Sequence, residues 1–166
     1  MSPLQIFDMI MSNMYQKIVF ESNLYAEQHN ISLNTNIEEL KSFLGLLIFM
    51  GYHEVPGIRL YWSNDPNFNC DRVAQVMSVK RFLKLFRFIH LNDNSKMPQR
   101  QSQEFDKLYK IRPLLPHLQE TYKTMYKPSR HLAVDESMVA FKGCSSMKQF
   151  MPLKPIKRGF KSLGFS

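Results

Sequence analysis

The chain has 166 residues, with 22 Lys and Arg against 14 Asp and Glu, for a formal net charge of +8. At 44% hydrophobic residues it is long and apolar enough for a core, which excludes a disordered chain. Its two cysteines, Cys70 and Cys144, form no CxxC pair, which excludes a disulfide framework and a zinc ribbon.

The longest apolar run, Phe43 to Met50, is well short of the roughly 20 residues a membrane span needs. The start, Met1-Ser2-Pro3-Leu4-Gln5, has neither the basic region nor the apolar core of a secretory signal, so the expectation is a soluble intracellular protein. Charge is uneven. Residues 1–79 carry four basic and eight acidic side chains, whereas residues 80–166 carry 18 and six. A half so basic suits a polyanion, nucleic acid before membrane, because no amphipathic anchor accompanies it. A Lys-rich solubilising surface explains the same charge, and charge alone does not separate the two.

Ser2-Pro3 reads as a helix cap followed by proline at the first helical position. Leu4, Phe7, Ile10 or Met11, Met14 and Ile18 then recur at helical spacing, so a first helix is predicted to about Gln28, with Met9, Met11 and Met14 filling core gaps. After a polar loop from Asn30 to Thr35, Asn36 and Glu39 have the spacing of a capping box. The helix they open, Leu40 to Met50, is apolar nearly all round and is expected to be the central core helix, ended by Gly51. Val55-Pro56-Gly57 is turn chemistry, and Tyr61-Trp62 anchors the next loop, with Trp62 packing between helices.

A short helix near Asp71–Met77 leads to Ser78, which caps a stronger helix over 79–91. Val79, Phe82, Leu83, Phe86 and Ile89 are taken as its buried face, with Lys80, Arg81, Lys84 and Arg87 on the remainder. That cationic face either lies along a phosphate backbone or solvates one side of a bundle. Residues 92–103 read as a mobile loop. A further helix is expected from Glu104, its buried line Phe105, Leu108, Ile111, Leu115, Leu118, Tyr122 and Met125, kinked or broken by Pro113 and Pro116 and closed by Lys127-Pro128-Ser129. Then the period changes. His131 to Phe141 reads as a strand or strand pair, Gly143 to Ser146 as a turn, Gln149 to Pro152 as extended, and Lys154 to Lys161 as the start of a basic strand.

For chemistry, Asp135 is a carboxylate in an otherwise apolar strand, a costly placement unless a metal or a donor holds it. Two-ion phosphoryl transfer needs several carboxylates, and one cannot supply them. His29, His53, His90, His117 and His131 show no HxxxH or HExxH spacing, and no phosphate-binding glycine loop is present. Ser137 and Ser145 have no local base, and Cys144 in its Gly-Cys-Ser-Ser turn is either an activated thiol or an ordinary exposed cysteine.

The run from Leu132-Ala133-Val134-Asp135-Glu136-Ser137-Met138 through Phe141-Lys142-Gly143, continued by Met147-Lys148-Gln149-Phe150-Met151-Pro152 and Lys154-Pro155-Ile156-Lys157-Arg158-Gly159-Phe160-Lys161, closely resembles the piggyBac family of DNA transposases and their domesticated derivatives. The likeness extends upstream through Phe43-Leu44-Gly45-Leu46-Leu47, Arg59-Leu60-Tyr61-Trp62-Ser63, Val76-Met77-Ser78, Arg81-Phe82 and Arg87-Phe88-Ile89-His90-Leu91-Asn92-Asp93, from about residue 4 to 161. The resemblance implies a cut-and-paste transposase with a ribonuclease-H-like domain, three essential aspartates and divalent magnesium or manganese. Asp135 matches the first aspartate and would be a metal ligand only with its partners. The family's other two aspartates and its cysteine-rich zinc module lie further downstream, and this chain stops at Ser166. The position of Cys144 is usually an arginine in the family, and Leu163-Gly164-Phe165-Ser166 lacks the family's long apolar strand.

The resulting expectation is a mainly α fold: a helical, dimerisation and DNA-binding-like bundle over 1–129, then the first strands of an incomplete ribonuclease-H-like α/β domain over 130–166. With most of its partners missing, that sheet is expected to expose strand edges and to lose order toward Ser166. The chain is expected to be a truncated, non-catalytic relic or short isoform needing no cofactor. Its partners are expected to be DNA, bound weakly and non-specifically, and a second copy or a related transposase, in the nucleus and without a membrane. The DNA contacts are assigned to Lys142, Lys148, Lys154, Lys157, Arg158 and Lys161, in one patch with Lys80, Arg81, Lys84 and Arg87. Two alternatives stand beside this: the N-terminal part of an active transposase, and a vestigial protein-interaction module.

Overall fold

Ser2 opens the first helix with a complete capping box. Its Oγ accepts the Gln5 N–H at 3.3 Å, and its own N–H donates to Gln5 Oε1 at 2.7 Å. In this computed structural model, which describes residues 1–127 and 133–165, the helix runs Pro3–Glu27 (α1). It closes where Asn30 takes a left-handed φ of 57° and the Ile31 N–H reaches back to the Ala26 carbonyl at 2.9 Å. The chain divides into two compact units, Met1–Lys123 and Thr124–Ser166.

In the first unit α1 buries Met14, Tyr15, Ile18 and Ala26. Met9, expected in the core, is exposed, as are Leu4 and Ile6. Asn23 fixes the following loop by exchanging two 3.0 Å hydrogen bonds with the Thr35 backbone. Helix α2 (Ile37–Tyr52) is capped by Asn36, whose Oδ1 accepts the Glu39 N–H at 2.9 Å. The reciprocal half of the box is not formed, because the Glu39 side chain is engaged elsewhere. Nor is α2 buried on most sides. Leu40, Phe43 and Leu46 make one buried stripe, while Ile48 is 60% and Tyr52 91% exposed, and the helix runs through Gly51 before ending.

A 3-10 turn over Ile58–Trp62 carries Tyr61 and Trp62 into the core. The Trp62 Nε1–H donates to the Met77 carbonyl at 2.7 Å, with its ring 5.2 Å from Phe82, which is the packing role expected of it. Helix α3 (Asp71–Val76) and the Ser78 cap lead to α4 (Val79–Phe88). Its buried stripe is Phe82, Leu85 and Phe88 rather than the expected set, and Phe86 is 53% exposed. Both stripes satisfy helical spacing; contact with Phe43 and Tyr25 selects the one that is used. Phe43, Val73 and Phe82 are the largest fully buried side chains.

Beyond α4 the segment expected as a loop is tied down around Asp93. This residue accepts from Gln28 Nε2 (3.0 Å), the Ser95 N–H (2.9 Å) and Ser95 Oγ (2.7 Å), and its carbonyl accepts from the Tyr109 hydroxyl (3.0 Å). The Gln28 bond foremost, with those from Ser95, holds the Asp93 carboxyl down at about 2. The last helix does not begin at Glu104. Turns occupy that stretch, and α5 spans Leu114–Met125. Pro116 falls in its first turn, where a missing N–H costs nothing, so the prolines set the start instead of a kink. No residue of α5 is buried, and Tyr122 and Met125, two of the expected buried line, are exposed. The expected closure at Pro128-Ser129 lies outside the described residues.

The second unit contains β1 (Val134–Ala140), β2 (Gln149–Phe150) and β3 (Arg158–Phe165) in one antiparallel sheet of order β1-β3-β2. Asp135 pairs with Gly164, Ser137 with Ser162, Val139 with Phe160 and Ala140 with Gly159, while Phe150 pairs with Arg158. The expected loss of the strand after Lys161 is not seen. β3 continues to Phe165, because ladder bonds to β1 are made by the backbone whatever side chains the segment carries. The outer edge of β1 has no partner strand among the described residues. His131 and Leu132, read as strand, lie outside those residues. Gly159 is required by close approach: a Cβ there would lie 1.9 Å from the Val139 carbonyl oxygen.

Candidate nucleic-acid interface

The cationic face of α4 divides into two kinds of side chain. Arg81 donates Nε to Glu39 Oε1 at 2.5 Å, Nη2 to Glu39 Oε2 at 2.6 Å and Nη1 to the Leu33 carbonyl at 2.8 Å. Both members are about three-quarters covered, and Thr35 Oγ1 donates to Glu39 as well, at 2.7 Å. The guanidinium hydrogen bonds foremost, and the Thr35 bond after them, hold the Glu39 carboxyl below the usual carboxylate range. Arg81 therefore locks α4 to the base of α2. Lys84 donates to the Ser32 carbonyl at 2.7 Å, which leaves its charge unneutralised. Arg87 lies over the Phe88 ring at 5.3 Å, and Lys80 is exposed with no side-chain partner among the described residues.

In the second unit the cations surround a sheet nearly bare of acid. Its acidic side chains are Asp135 and Glu136, neighbours on β1 that alternate to opposite faces. Glu136 forms an ion pair with Lys161 across the ladder. Lys154 donates to the Glu136 carbonyl (3.3 Å) and Lys148 to the Gly143 carbonyl (2.8 Å), contacts that position an ammonium without neutralising it. Lys142 and Lys157 are exposed, and the Arg158 guanidinium lies 5.2 Å from the Phe150 ring centroid. Asp135 is exposed, its Oδ1 accepting the Glu136 N–H at 2.7 Å.

A two-ion site needs convergent carboxylates, and these residues do not fit one. Glu136 faces away and is held by Lys161, and among the described residues no three His, Cys, Asp or Glu side chains gather. His117 is used structurally, with Nε2 donating to the Ile10 carbonyl at 2.7 Å, and Cys144 is an exposed thiol. The six predicted contacts of the second unit lie on one small sheet and its loops, whereas Lys80, Arg81, Lys84 and Arg87 lie on α4 of the first. Sequence reading passed over the aromatic side chains among them, Phe141, Phe150 and Phe160. The signal was available: each lies within three residues of a Lys or Arg in a stretch of extended periodicity.

Among the described residues, no helix is long and apolar enough to cross a membrane. The family model described as Transposase IS4 matches residues 2–165. PiggyBac transposable element-derived protein 3 of Homo sapiens is 31% identical over 161 residues, covering 96% of this chain and 26% of the relative. PiggyBac transposable element-derived protein 2 of Homo sapiens is 30% identical over 162 residues, covering 97% of this chain and 26% of the relative. The chain thus spans about a quarter of the length of these curated relatives. Among solved structures, the cryo-EM structure of a piggyBac transposase synaptic complex with hairpin DNA superposes with a TM-score of 0.81 at 24% identity, covering 99% of this chain and 35% of that one. At that identity the likeness is one of fold.

Proposed function

Because the chain belongs to the Transposase IS4 family, with piggyBac transposable element-derived proteins as its relatives, we propose that it is a non-catalytic DNA-contacting member of that family. Its second unit is, in this reading, the opening of a ribonuclease-H-like sheet that holds duplex phosphate in the nucleus without reading bases. One observation carries the reading: the second unit has eight basic and two acidic residues, and Lys161–Glu136 is its ion pair among the described residues. Such uncompensated charge suits counterion release, with non-specific affinity on the order of 10⁻⁴ to 10⁻⁶ M at physiological salt. Lys142, Lys148, Lys154, Lys157 and Arg158 are the candidate phosphate contacts, with Lys80, Lys84 and Arg87 as a separate set on α4. Lys161 and Arg81 serve the fold first.

Titrating a fluorescent duplex at several salt concentrations tests this. Replacing Lys157 and Arg158 with alanine flattens the slope of log affinity against log salt by about two if both touch phosphate. No binding at low salt, or an unchanged slope, leaves the charge as surface and favours a vestigial interaction module.

Two further readings have a specific observation behind them. Leu4, Ile48 and Tyr52 expose apolar surface on α1 and α2, which favours pairing with a second copy or a related transposase. Asp135 keeps an exposed carboxylate on a strand paired along its length with β3, which favours this stretch as the opening part of an active, magnesium- or manganese-dependent transposase. Metal-dependent nicking by the chain, abolished in Asp135→Ala, would establish that enzyme and end the non-catalytic reading.

A further inference from the structure

Strand register sorts the second unit's side chains by face. Phe150 lies opposite Arg158, and on the other flank the Phe141 N–H donates to the Arg158 carbonyl at 3.4 Å, so Phe141, Arg158 and Phe150 form a row across the sheet. Phe160, two residues further along β3 and opposite Val139, begins the next row on the same face. The rings are arranged in pairs with their neighbours. Phe141 and Phe160 are 4.7 Å apart at 33°, and the Arg158 guanidinium is 5.2 Å from Phe150. This face is not covered: Phe150 is 58% and Phe141 37% exposed.

Aromatic rings left in water need a partner with apolar flat surface, and the cations around them need a partner with negative charge. Arg158 is the cation on this face, Lys142 follows β1 and Lys157 precedes β3 at the end of the sheet where this row lies, and the acidic residue on the face, Asp135, is six residues along β1 from Phe141. Unpaired nucleotides supply both properties in one chain, a π-face per base and a charge per phosphate. A duplex supplies only the charge, because its bases are already stacked on each other.

We propose that this face is a stacking platform for single-stranded DNA, with Phe150 and Phe141 receiving bases while Arg158, Lys157 and Lys142 hold the flanking phosphates. The proposal rests on the reading of the chain as DNA-contacting and adds a preference for unpaired over paired strands.

The test uses the full chain, a fluorescent 20-nucleotide oligo(dT) and a mixed-sequence duplex of equal length, by anisotropy at several salt concentrations. The expected result is tighter binding of the single strand. Phe150→Ala and Phe150→Leu should both weaken it about five- to 150-fold, while duplex affinity stays within about twofold. Phe150→Trp restores the strand preference, and a strand containing 2-aminopurine is quenched by the wild type but not by Phe150→Ala. Full affinity in Phe150→Leu would mean apolar contact instead of stacking and would overturn the proposal. So would equal losses for strand and duplex, or displacement of the strand by polyglutamate at equal charge concentration. Duplex binding with the expected salt slope but no strand preference refutes the platform and leaves the duplex reading intact. Absence of binding to either probe refutes both.

Discussion

Arg81 and Arg158 show how differently the two units use the same side chain. In the helical unit Arg81 is held by Glu39 and the Leu33 carbonyl, and its charge is consumed in joining α2 to α4. In the sheet unit Arg158 is exposed, backed by a phenylalanine ring and in no ion pair among the described residues. The contrast extends to packing. The first unit surrounds Phe43, Val73 and Phe82 completely, whereas Gly159 is the buried residue among those described in the second. A unit of that size has little interior to fill, so its order rests on backbone pairing and its side chains stay available. What a cation does here is decided by whether its unit has a carboxylate to spare.

The contrast is broken most directly at Phe82. Phe82→Ala removes a fully buried ring in contact with Phe43 and Trp62 and should cost about 3–5 kcal/mol in urea unfolding of the first unit. Phe150→Ala in the second unit should be nearly silent in the same measurement. If both variants lose equally, the two units are not distinct in the way their packing implies.

Glu39→Gln comes next. It leaves Arg81 with a neutral acceptor, and should cost about 1.5–3 kcal/mol at neutral pH. Because the folded Glu39 carboxyl titrates below its unfolded value, its contribution is complete above the ordinary glutamate range near about 4.3 and is lost as pH falls through that range toward the lower folded value. Glu39→Gln should therefore flatten the acid limb of a stability-versus-pH curve. Asp93, held down at about 2, adds its own loss in both proteins as pH falls from the ordinary aspartate range toward that value. An acid limb unchanged by the substitution would remove Glu39 from this role.

Gly159→Ala sharpens the comparison from the other side. Its methyl group would meet the Val139 carbonyl at 1.9 Å, so β1 and β3 must separate locally at about 1–3 kcal/mol. Amide exchange should quicken across 134–140 and 158–165 and stay unchanged in α1 and α4. A smaller effect is expected of Trp62→Phe, which keeps a ring against Phe82 and loses one hydrogen bond to the Met77 carbonyl, about 0.5–1.5 kcal/mol by thermal unfolding.

Helix starts were legible because their chemistry is local. Ser2, Asn36 and Ser78 cap α1, α2 and α4 from positions within three residues of the N–H they accept. Helix faces were less so. The choice between Leu85 with Phe88 and Phe86 with Ile89 depends on which neighbour covers α4, and periodicity is satisfied either way. Glu39 shows the same limit in polar form. Its spacing from Asn36 fits a capping box, yet an arginine 42 residues later makes the stronger offer. The basic run 142–161 was legible as a stretch of charge, but the alternation that brings Phe141, Arg158 and Phe150 into one row depends on strand register, which no local pattern specifies.

Trp62 is the protein's single tryptophan, seated against Phe82 in the helical unit. Intrinsic emission excited at the red edge of the aromatic band is therefore a report from that unit alone: a red shift marks water reaching the indole, while melting of the sheet goes unseen. In Phe150→Trp a second emitter is added within reach of the Arg158 guanidinium. The pair of proteins then gives a two-channel optical readout, one channel for each unit, without any attached dye.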